Sequence, residues 1–170
     1  MHQTVDPLLI DYYRDAINEG SQFFGVGVVQ YAKPIGKLIA RTGAKTLLDY
    51  GCGLGQAYTK QGLHKRWGVA APTFYDPAVE EFSAKPEGVF DGVICSDVLE
   101  HVPEELVDSV IEELFQYANK FVWASVCCRA AKKKFPDGRN MHVTIQPFAW
   151  WQAKMTAAAH GKLFLLSETP

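Results

Sequence analysis

Hydrophobic and polar positions along the 170-residue chain follow two different periods, which together predict short strands alternating with helices. Five compact apolar runs, bounded by glycine, proline or charged residues, are predicted to form buried strands. Five longer stretches have the spacing of amphipathic helices. The predicted strands span residues 46–50, 73–75, 92–95, 120–127 and 163–166, and the predicted helices span residues 6–19, 26–41, 54–63, 103–119 and 147–160.

This order of elements predicts an α/β fold, a three-layer α/β/α sandwich around a doubly wound, mostly parallel sheet. Asp6 is predicted to cap the first helix, Gly20 to end it and Pro34 to kink the second helix. The length suits one domain, residues 1–170, with a single core.

Composition narrows the classes of function. The chain is 48% hydrophobic and 21% charged, as is ordinary for a globular protein, and its net charge of −2 gives no indication of nucleic-acid binding. No apolar run approaches the roughly 18 residues of a membrane span, and no secretion signal opens the chain. Four cysteines without a C-x-x-C pair predict reduced thiols and a cytoplasmic location.

A glycine loop follows the first predicted strand. Asp49 ends that strand, and Gly51, Gly53 and Gly55 come directly after it. Glycine has no Cβ, so this backbone can approach a nucleotide-like ligand closely. The spacing differs from the dinucleotide motif G-x-G-x-x-G, which argues against a nicotinamide-dependent oxidoreductase.

A second acid lies at the end of the second predicted strand. Asp76 follows Gly51 by 25 residues, as in α/β nucleotide-binding folds. A carboxylate there can accept hydrogen bonds from both hydroxyls of a ribose. The alternative is an Asp-Pro turn, in which Asp76 with Pro77 only caps the loop.

Three segments in this order resemble the class I methyltransferases, a Rossmann-like family that uses S-adenosylmethionine. Residues 48–55 match the first motif of the family, Asp76 matches the acid of the second, and residues 90–102 look like the fourth strand and its loop. The resemblance covers residues 47–126 and, more weakly, extends to residue 166. It implies S-adenosylmethionine as cofactor, with S-adenosylhomocysteine as product, and leaves the methyl acceptor unidentified.

The resemblance also assigns cofactor-binding residues. Asp49 is expected to orient the ammonium group of the cofactor and Asp76 to hold its ribose, while the glycine loop shapes the wall beside the methionine part. Ser96 and Asp97 are expected to border the reactive end. The full expected set is Asp49, Gly51, Cys52, Gly53, Gly55, Asp76, Pro77, Ser96 and Asp97.

The N-terminal helices of such proteins usually cover the cofactor pocket. Residues 1–42 are therefore expected to form this cover and residues 43–170 the Rossmann-like core. Tyr13, Phe23 and Phe24 are the side chains expected over the cofactor.

The chain departs from the family after the second strand. Only 14 residues separate Asp76 from Asp91, so the usual helix there is predicted to be missing or reduced to a turn. Residues 80–84 are the only candidate for a third strand, and Phe82 or Ser83 is a candidate for the adenine pocket. The chain has no room for the family's seventh strand, so the sheet edge is open or completed by a second copy.

Two histidines are candidates for a general base. A sulfonium leaves as a neutral thioether and needs no acid, so positioning supplies much of the catalysis. A hydroxyl acceptor would benefit from a base, and His101 and His142 are expected at the ligand-binding rim of the sheet. The alternative for each is a structural histidine bonded to the backbone.

Two further alternatives stay open. Asp97, Glu100 and His101 form an acid-x-x-acid-His cluster, which His142 could complete as a metal site similar to that of some RNA 2′-O-methyltransferases. Mn²⁺ would tolerate the histidines better than Mg²⁺ and would lower the pKa of an acceptor hydroxyl. We prefer the interpretation in which this cluster binds no metal and Glu100 caps the next helix. The other alternative is a domain that binds S-adenosylmethionine without transferring a methyl group.

Two other clusters have a structural and a functional reading. Trp150 and Trp151, with Phe148, form an aromatic cluster in which at least one side chain is expected in the core, and one tryptophan could instead face an acceptor or partner. Residues 132–134 and Arg139 form a basic stretch that is either a solvated loop or a contact for phosphate or carboxylate on the substrate.

Overall fold

The computed structural model describes residues 7–20 and 23–170. Five strands form one sheet, in which every pair of neighbours is parallel. They are β1 (Leu47–Tyr50), β2 (Thr73–Tyr75), β3 (Phe90–Ser96), β4 (Ala118–Val126) and β5 (Leu163–Glu168). The spatial order is β2-β1-β3-β4-β5, which confirms the predicted α/β class and Rossmann-like sheet.

Six helices and three 3₁₀ turns connect these strands in the described part of the chain. The helices are α1 (Pro7–Asn18), α2 (Ala32–Thr42), α3 (Gln56–Thr59), α4 (Leu63–Trp67), α5 (Glu104–Tyr117) and α6 (Phe148–Ala159). The 3₁₀ turns span Gly27–Tyr31, Glu80–Phe82 and Leu99–His101. The predicted cap Asp6 lies outside the described residues.

The sheet separates two cores because neighbouring strand residues point to opposite faces. On β4, Val122 and Ala124 face a core built with α5 and α6, whereas Phe121 and Trp123 face a core built with α2, α3 and α4. Trp151 of α6 is fully buried in the first core. The three layers follow directly from this division, and Trp151 is a member of the aromatic cluster that packs in the core.

Two predicted helices are wrong in their bounds. The stretch 26–41 is a 3₁₀ turn followed by α2, and Pro34 lies in the first turn of α2, where a missing N–H removes no helical hydrogen bond. The stretch 54–63 divides at Gly62, whose left-handed backbone (φ 62°) separates α3 from α4. Gly62 therefore separates two helices and Pro34 lies close to the start of one, so neither residue kinks a helix.

The predicted third strand is also wrong. Residues 80–82 form a 3₁₀ turn, held by hydrogen bonds from the Phe82 N–H to the Val79 carbonyl and from the Asp76 N–H to the Phe82 carbonyl. The interval after β2 is thus reduced to a turn, as its length predicts. β5 extends two residues past its predicted end.

Within the ranges the structure describes, no helix is both long and apolar enough to cross a membrane. All four cysteines are free thiols, and Cys52 and Cys95 are buried. The cytoplasmic location and the pairing of the open sheet edge with a second copy stay predictions.

Candidate functional site

The candidate site lies at the carboxyl edge of the sheet, where open α/β folds bind ligands. Four segments leave the sheet at this edge because β1 to β4 are parallel. They are the glycine loop (residues 51–55), Asp76 with the turn after it, residues 97–103, and the loop from residue 127 to residue 146.

The glycine loop requires glycine for space as well as for backbone conformation. Gly51 and Gly53 both have left-handed backbones, with φ of 78° and 52°. A Cβ on Gly53 would lie 2.2 Å from the carbonyl oxygen of Phe23, and one on Gly51 would lie 2.3 Å from the side chain of Val98. The loop is therefore packed tightly against the segment that follows α1 and against the loop after β3.

Every backbone N–H from Gly51 to Ala57 donates to an acceptor within the chain. The acceptors are the carbonyl oxygens of Phe23, Phe24, Gly25, Cys52 and Tyr75 and the carboxylate of Asp76. Loops that bind phosphate do so through N–H donors of this kind. In this conformation the loop has no such donor for a pyrophosphate, so it suits a nucleoside ligand without phosphate and not a dinucleotide.

Asp76 has an oxygen available for each of two hydroxyl groups. One carboxylate oxygen accepts a hydrogen bond from the N–H of Gly53 (2.8 Å) and the other accepts one from the N–H of Ala78 (2.9 Å). Burial raises the pKa of this carboxyl, and the two N–H groups lower it. A carboxylate oxygen can accept two hydrogen bonds, so each retains one position. The predicted Asp-Pro turn and the predicted ribose contact are compatible.

Asp49 and Cys52 lie beneath the loop. Asp49 is only 3% exposed, and burial raises the pKa of its carboxyl to about 7, with a smaller lowering by Tyr58 and a smaller raising by Asp76. Such a carboxyl ionises more readily when a cation binds beside it. The Cys52 thiol is buried and donates a hydrogen bond to the carbonyl oxygen of Gly53, so this side chain bonds within the loop and is not exposed at its surface.

The side chains of Ser96 and Asp97 are bound within the protein. The Asp97 carboxylate accepts hydrogen bonds from the hydroxyls of Ser125 (2.9 Å) and Thr169, and Ser96 donates to its other oxygen (3.3 Å). Asp97 also has a left-handed backbone (φ 55°), which is strained for a residue with a side chain. Their predicted contact with the cofactor would use the backbone or these same oxygens.

His101 and His142 are held in one orientation by carbonyl oxygens. The Nδ1 atom of His101 lies 2.9 Å from the carbonyl oxygen of Met141, and Nδ1 of His142 lies 2.5 Å from that of Arg129. A carbonyl can only accept, so each Nδ1 carries a proton, and in the neutral form of either ring the lone pair is on Nε2. Burial lowers the pKa of His101 to about 4, so this ring is neutral at ordinary pH.

Tyr13 connects the N-terminal helix to these histidines. Its hydroxyl donates to the carbonyl oxygen of Met141 (2.8 Å) and lies 3.1 Å from Nδ1 of His101. The ring of Phe23 also contacts His101, with centroids 5.7 Å apart. Tyr13 and Phe23 of the N-terminal segment therefore pack against His101, whereas the side chain of Phe24 is exposed. Their place over a cofactor stays a prediction.

Glu100 is a fully buried acid with an unsatisfied oxygen. Its Oε1 accepts a hydrogen bond from the N–H of Cys127 (3.0 Å), while its Oε2 has no partner among the described residues. Burial raises the pKa of this carboxyl to about 8. One ligand atom each of Glu100, His101 and His142 lie within 4.8 Å of one another, and Asp97 is not part of this group. Three of the four predicted metal ligands thus come together.

A pocket of about 690 Å³ opens beside the two histidines. Phe23 and Met141 line one part of it, and the basic loop lines the rest. The contacts of Arg129 and Met141 with the two histidines were not predicted from the sequence, because contacts across 13 and 40 residues leave no local signal. Lys132 and Lys133 line the pocket, whereas Arg139 pairs with Asp137 at its outer side.

The other aromatic candidates lie away from this pocket. Trp150 is half-buried, with the Lys154 ammonium 4.4 Å from its ring, and neither tryptophan of α6 lines the pocket. Phe82 packs on Phe74 with ring centroids 5.1 Å apart, and Ser83 is exposed. Their role beside an adenine stays a prediction.

Comparison with models of protein families gives a match over most of the chain. A family model described as a methyltransferase domain matches residues 29–168, which include the glycine loop, Asp76 and both histidines. No curated protein matches the chain.

Proposed function

We propose, from the premise that the chain belongs to the methyltransferase-domain family, that it transfers a methyl group from S-adenosylmethionine to an acceptor bound beside His101 and His142. The bound cofactor would supply the methyl group on a positively charged sulfonium, which leaves as a neutral thioether. The observation that carries this proposal is the glycine loop, whose N–H groups are all occupied, beside an Asp76 that retains two acceptor positions.

The residues at the loop fit such a cofactor. Asp76 would accept hydrogen bonds from the ribose hydroxyls, and the glycine backbone would lie against the methionine part. Asp49 would balance the positive charge of the ligand from beneath the loop, since its pKa of about 7 leaves it ready to ionise. The backbone of Ser96 and Asp97 would border the reactive end.

His142 is the better of the two candidate bases. Both rings offer Nε2, but the pKa of His101 is lowered to about 4, which makes it a weak proton acceptor. His142 lines the pocket, and the carbonyl of Arg129 fixes its orientation. We therefore assign His142 to take a proton from a hydroxyl acceptor and His101 to position that acceptor.

Calorimetric titration with S-adenosylmethionine and S-adenosylhomocysteine tests the cofactor assignment. Asp76→Asn should weaken the binding of both ligands at least about tenfold, because an amide has one oxygen that accepts hydrogen bonds where the carboxylate has two (a factor of ten is about 1.4 kcal/mol). Asp108→Asn is the matched control, since this exposed acid pairs with Lys154 on the helical face. Equal affinity in wild type and Asp76→Asn would contradict the ribose contact, and binding without any turnover in cell extract would favour the binding domain.

A metal-assisted O-methyltransferase is a second candidate, favoured by the group of Glu100, His101 and His142. Metal-bound histidines commonly donate their other N–H to a carbonyl, as both do here. The unpartnered Oε2 of Glu100 would gain a partner from a cation. Two imidazoles and one carboxylate suit Mn²⁺ better than Mg²⁺, and the metal would lower the pKa of an acceptor hydroxyl.

Thermal unfolding with added Mn²⁺, Mg²⁺ and Zn²⁺ tests this second candidate. If the group binds a metal, the melting temperature of the wild type should rise saturably, and His142→Gln should remove the rise. Glu105→Gln is the control, because Glu105 is exposed at the start of α5 and outside the group. An unchanged melting temperature, or an equal rise in His142→Gln, would leave the metal-free reading in place.

A further inference from the structure

The pocket beside the histidines is positively charged. Arg129, Lys132 and Lys133 line it, and none of the three takes part in an ion pair with any described residue. The lining includes no aspartate or glutamate side chain from the described part of the chain. Glu100 is fully buried and does not line the pocket. The three cations are therefore available to a ligand.

The loop that carries these cations has a defined shape. The Asn140 side chain accepts from the N–H of Ala131 and donates to its carbonyl, both at 2.9 Å. Asn140 also forms an antiparallel bridge with Lys134, and Phe135 is buried against Tyr12 and Tyr13. Such anchoring reduces the cost of ordering the loop when a ligand binds.

The positive region is also small. A second pocket of about 450 Å³ shares His142 with the first and is lined by Glu104 and Glu105 as well as by Arg139. A nucleic-acid strand that passed His142 would meet these two carboxylates. Affinity for a polyanion comes from many phosphate contacts, whereas three cations next to an acidic rim favour one compact anion.

We propose that the methyl acceptor is a small molecule with a compact anionic group, phosphate or carboxylate, which Arg129, Lys132 and Lys133 hold while the rest of the molecule faces His142. The pocket volume of about 690 Å³ is within the range of small-molecule sites. Arginine and lysine are the side chains that bind such groups most strongly. This inference rests on the proposed function for the role of the ligand as acceptor, but the anion site itself can be tested separately.

Nuclear magnetic resonance of the histidine rings provides the test, with pyrophosphate and malonate as probes at constant ionic strength. The His142 signal, assigned through His142→Gln, should shift saturably with at least one probe, and the two probes distinguish phosphate from carboxylate recognition. In Lys132→Ala/Lys133→Ala the dissociation constant should rise about tenfold or more, the loss expected for one or two charge-assisted hydrogen bonds. The matched control is Lys60→Ala/Lys65→Ala, which removes two exposed charges near α3 and α4.

Three results would overturn the inference: no saturable shift in the wild type, equal weakening in the control variant, or tighter binding of a single-stranded oligonucleotide with a steep salt dependence. Titration of the same samples with S-adenosylhomocysteine separates this result from the proposed function. If Lys132→Ala/Lys133→Ala loses the anion but binds S-adenosylhomocysteine normally, both proposals stand. If the wild type binds pyrophosphate but no cofactor, the anion site stands and the methyltransferase proposal fails.

Discussion

At the scale of single residues, the glycine loop and Asp76 are the part of the site that the sequence predicts best. Their spacing is local, so it can be recognised in the sequence without a structure. The orientation of His101 cannot be predicted in this way, because it depends on Tyr13, 88 residues earlier, and Met141, 40 residues later. The hydrogen bonds of Asp97 with Ser125 and Thr169 were not predicted either, because these partners are 28 and 72 residues away along the chain.

Asp49→Asn should increase stability and reduce cofactor affinity. Folding raises the pKa of Asp49 from 3.8 to about 7, so the folded protein holds this proton more tightly than the unfolded chain does. The stability that the protonated side chain contributes is fully present below pH 3.8 and is lost as the pH rises through 7. At pH 8 the variant should gain about 1 to 3 kcal/mol, less than the roughly 4 that such a shift allows, because an amide must also be buried. Urea unfolding at pH 5 and pH 8 measures this, and a gain that is equal at both pH values would contradict it.

Gly53→Ala should destabilise the protein more than a substitution at a glycine where only the left-handed backbone is strained and the new Cβ meets no neighbour. At Gly53 a Cβ meets the Phe23 carbonyl oxygen at 2.2 Å, whereas at Gly43, with a similar φ of 62°, nothing lies within 4 Å. Gly43→Ala should cost about 1 kcal/mol and Gly53→Ala about 2 kcal/mol or more. Denaturant unfolding of both variants compares them, and equal losses would mean that the contact with Phe23 gives way freely.

At the scale of elements, burial decides which predictions succeed. All five strands were found because each is a short apolar run between turn residues, and three of them, β1, β3 and β4, lie inside the sheet with buried residues in both cores. The errors fall on segments of three to five residues, such as the 3₁₀ turns at Gly27–Tyr31 and Glu80–Phe82. A helical period cannot be distinguished from other patterns over one turn, and tertiary contacts decide the outcome.

Tyr13→Phe tests how α1 is attached to the loop after β4. The change removes the hydroxyl that donates to Met141 and approaches His101, so we expect a loss of about 1 kcal/mol and faster hydrogen exchange in residues 127–146. Tyr12→Phe is the matched control, because Tyr12 contacts Phe135 through its ring, with centroids 5.3 Å apart. Equal exchange in both variants would show that packing alone holds the helix in place.

At the scale of the whole molecule, the edge of the sheet at β5 is the feature with consequences for assembly. β5 pairs with β4 on one side, and no strand among residues 7–20 and 23–170 pairs with its other side. Leu165 in the middle of this strand is 39% exposed. An uncovered edge offers a row of N–H and C=O groups to another chain. We therefore expect two copies to associate through β5 in a concentration-dependent manner.

Leu165→Lys should abolish that association, because charged side chains on an edge strand oppose pairing with a second strand. Ile145→Lys is the matched control, since Ile145 is similarly exposed but lies in the loop after β4 rather than on the edge. Light scattering across a concentration series, with S-adenosylhomocysteine absent and present, measures the mass of each protein. A wild type that stays monomeric at every concentration would mean that the twist of the sheet, with Lys162 just before β5 and Glu168 at its end, protects the edge sufficiently. A dimer that survives in Leu165→Lys but not in Ile145→Lys would place the interface at the loop of the candidate site, where a second copy would also restrict access to the pocket.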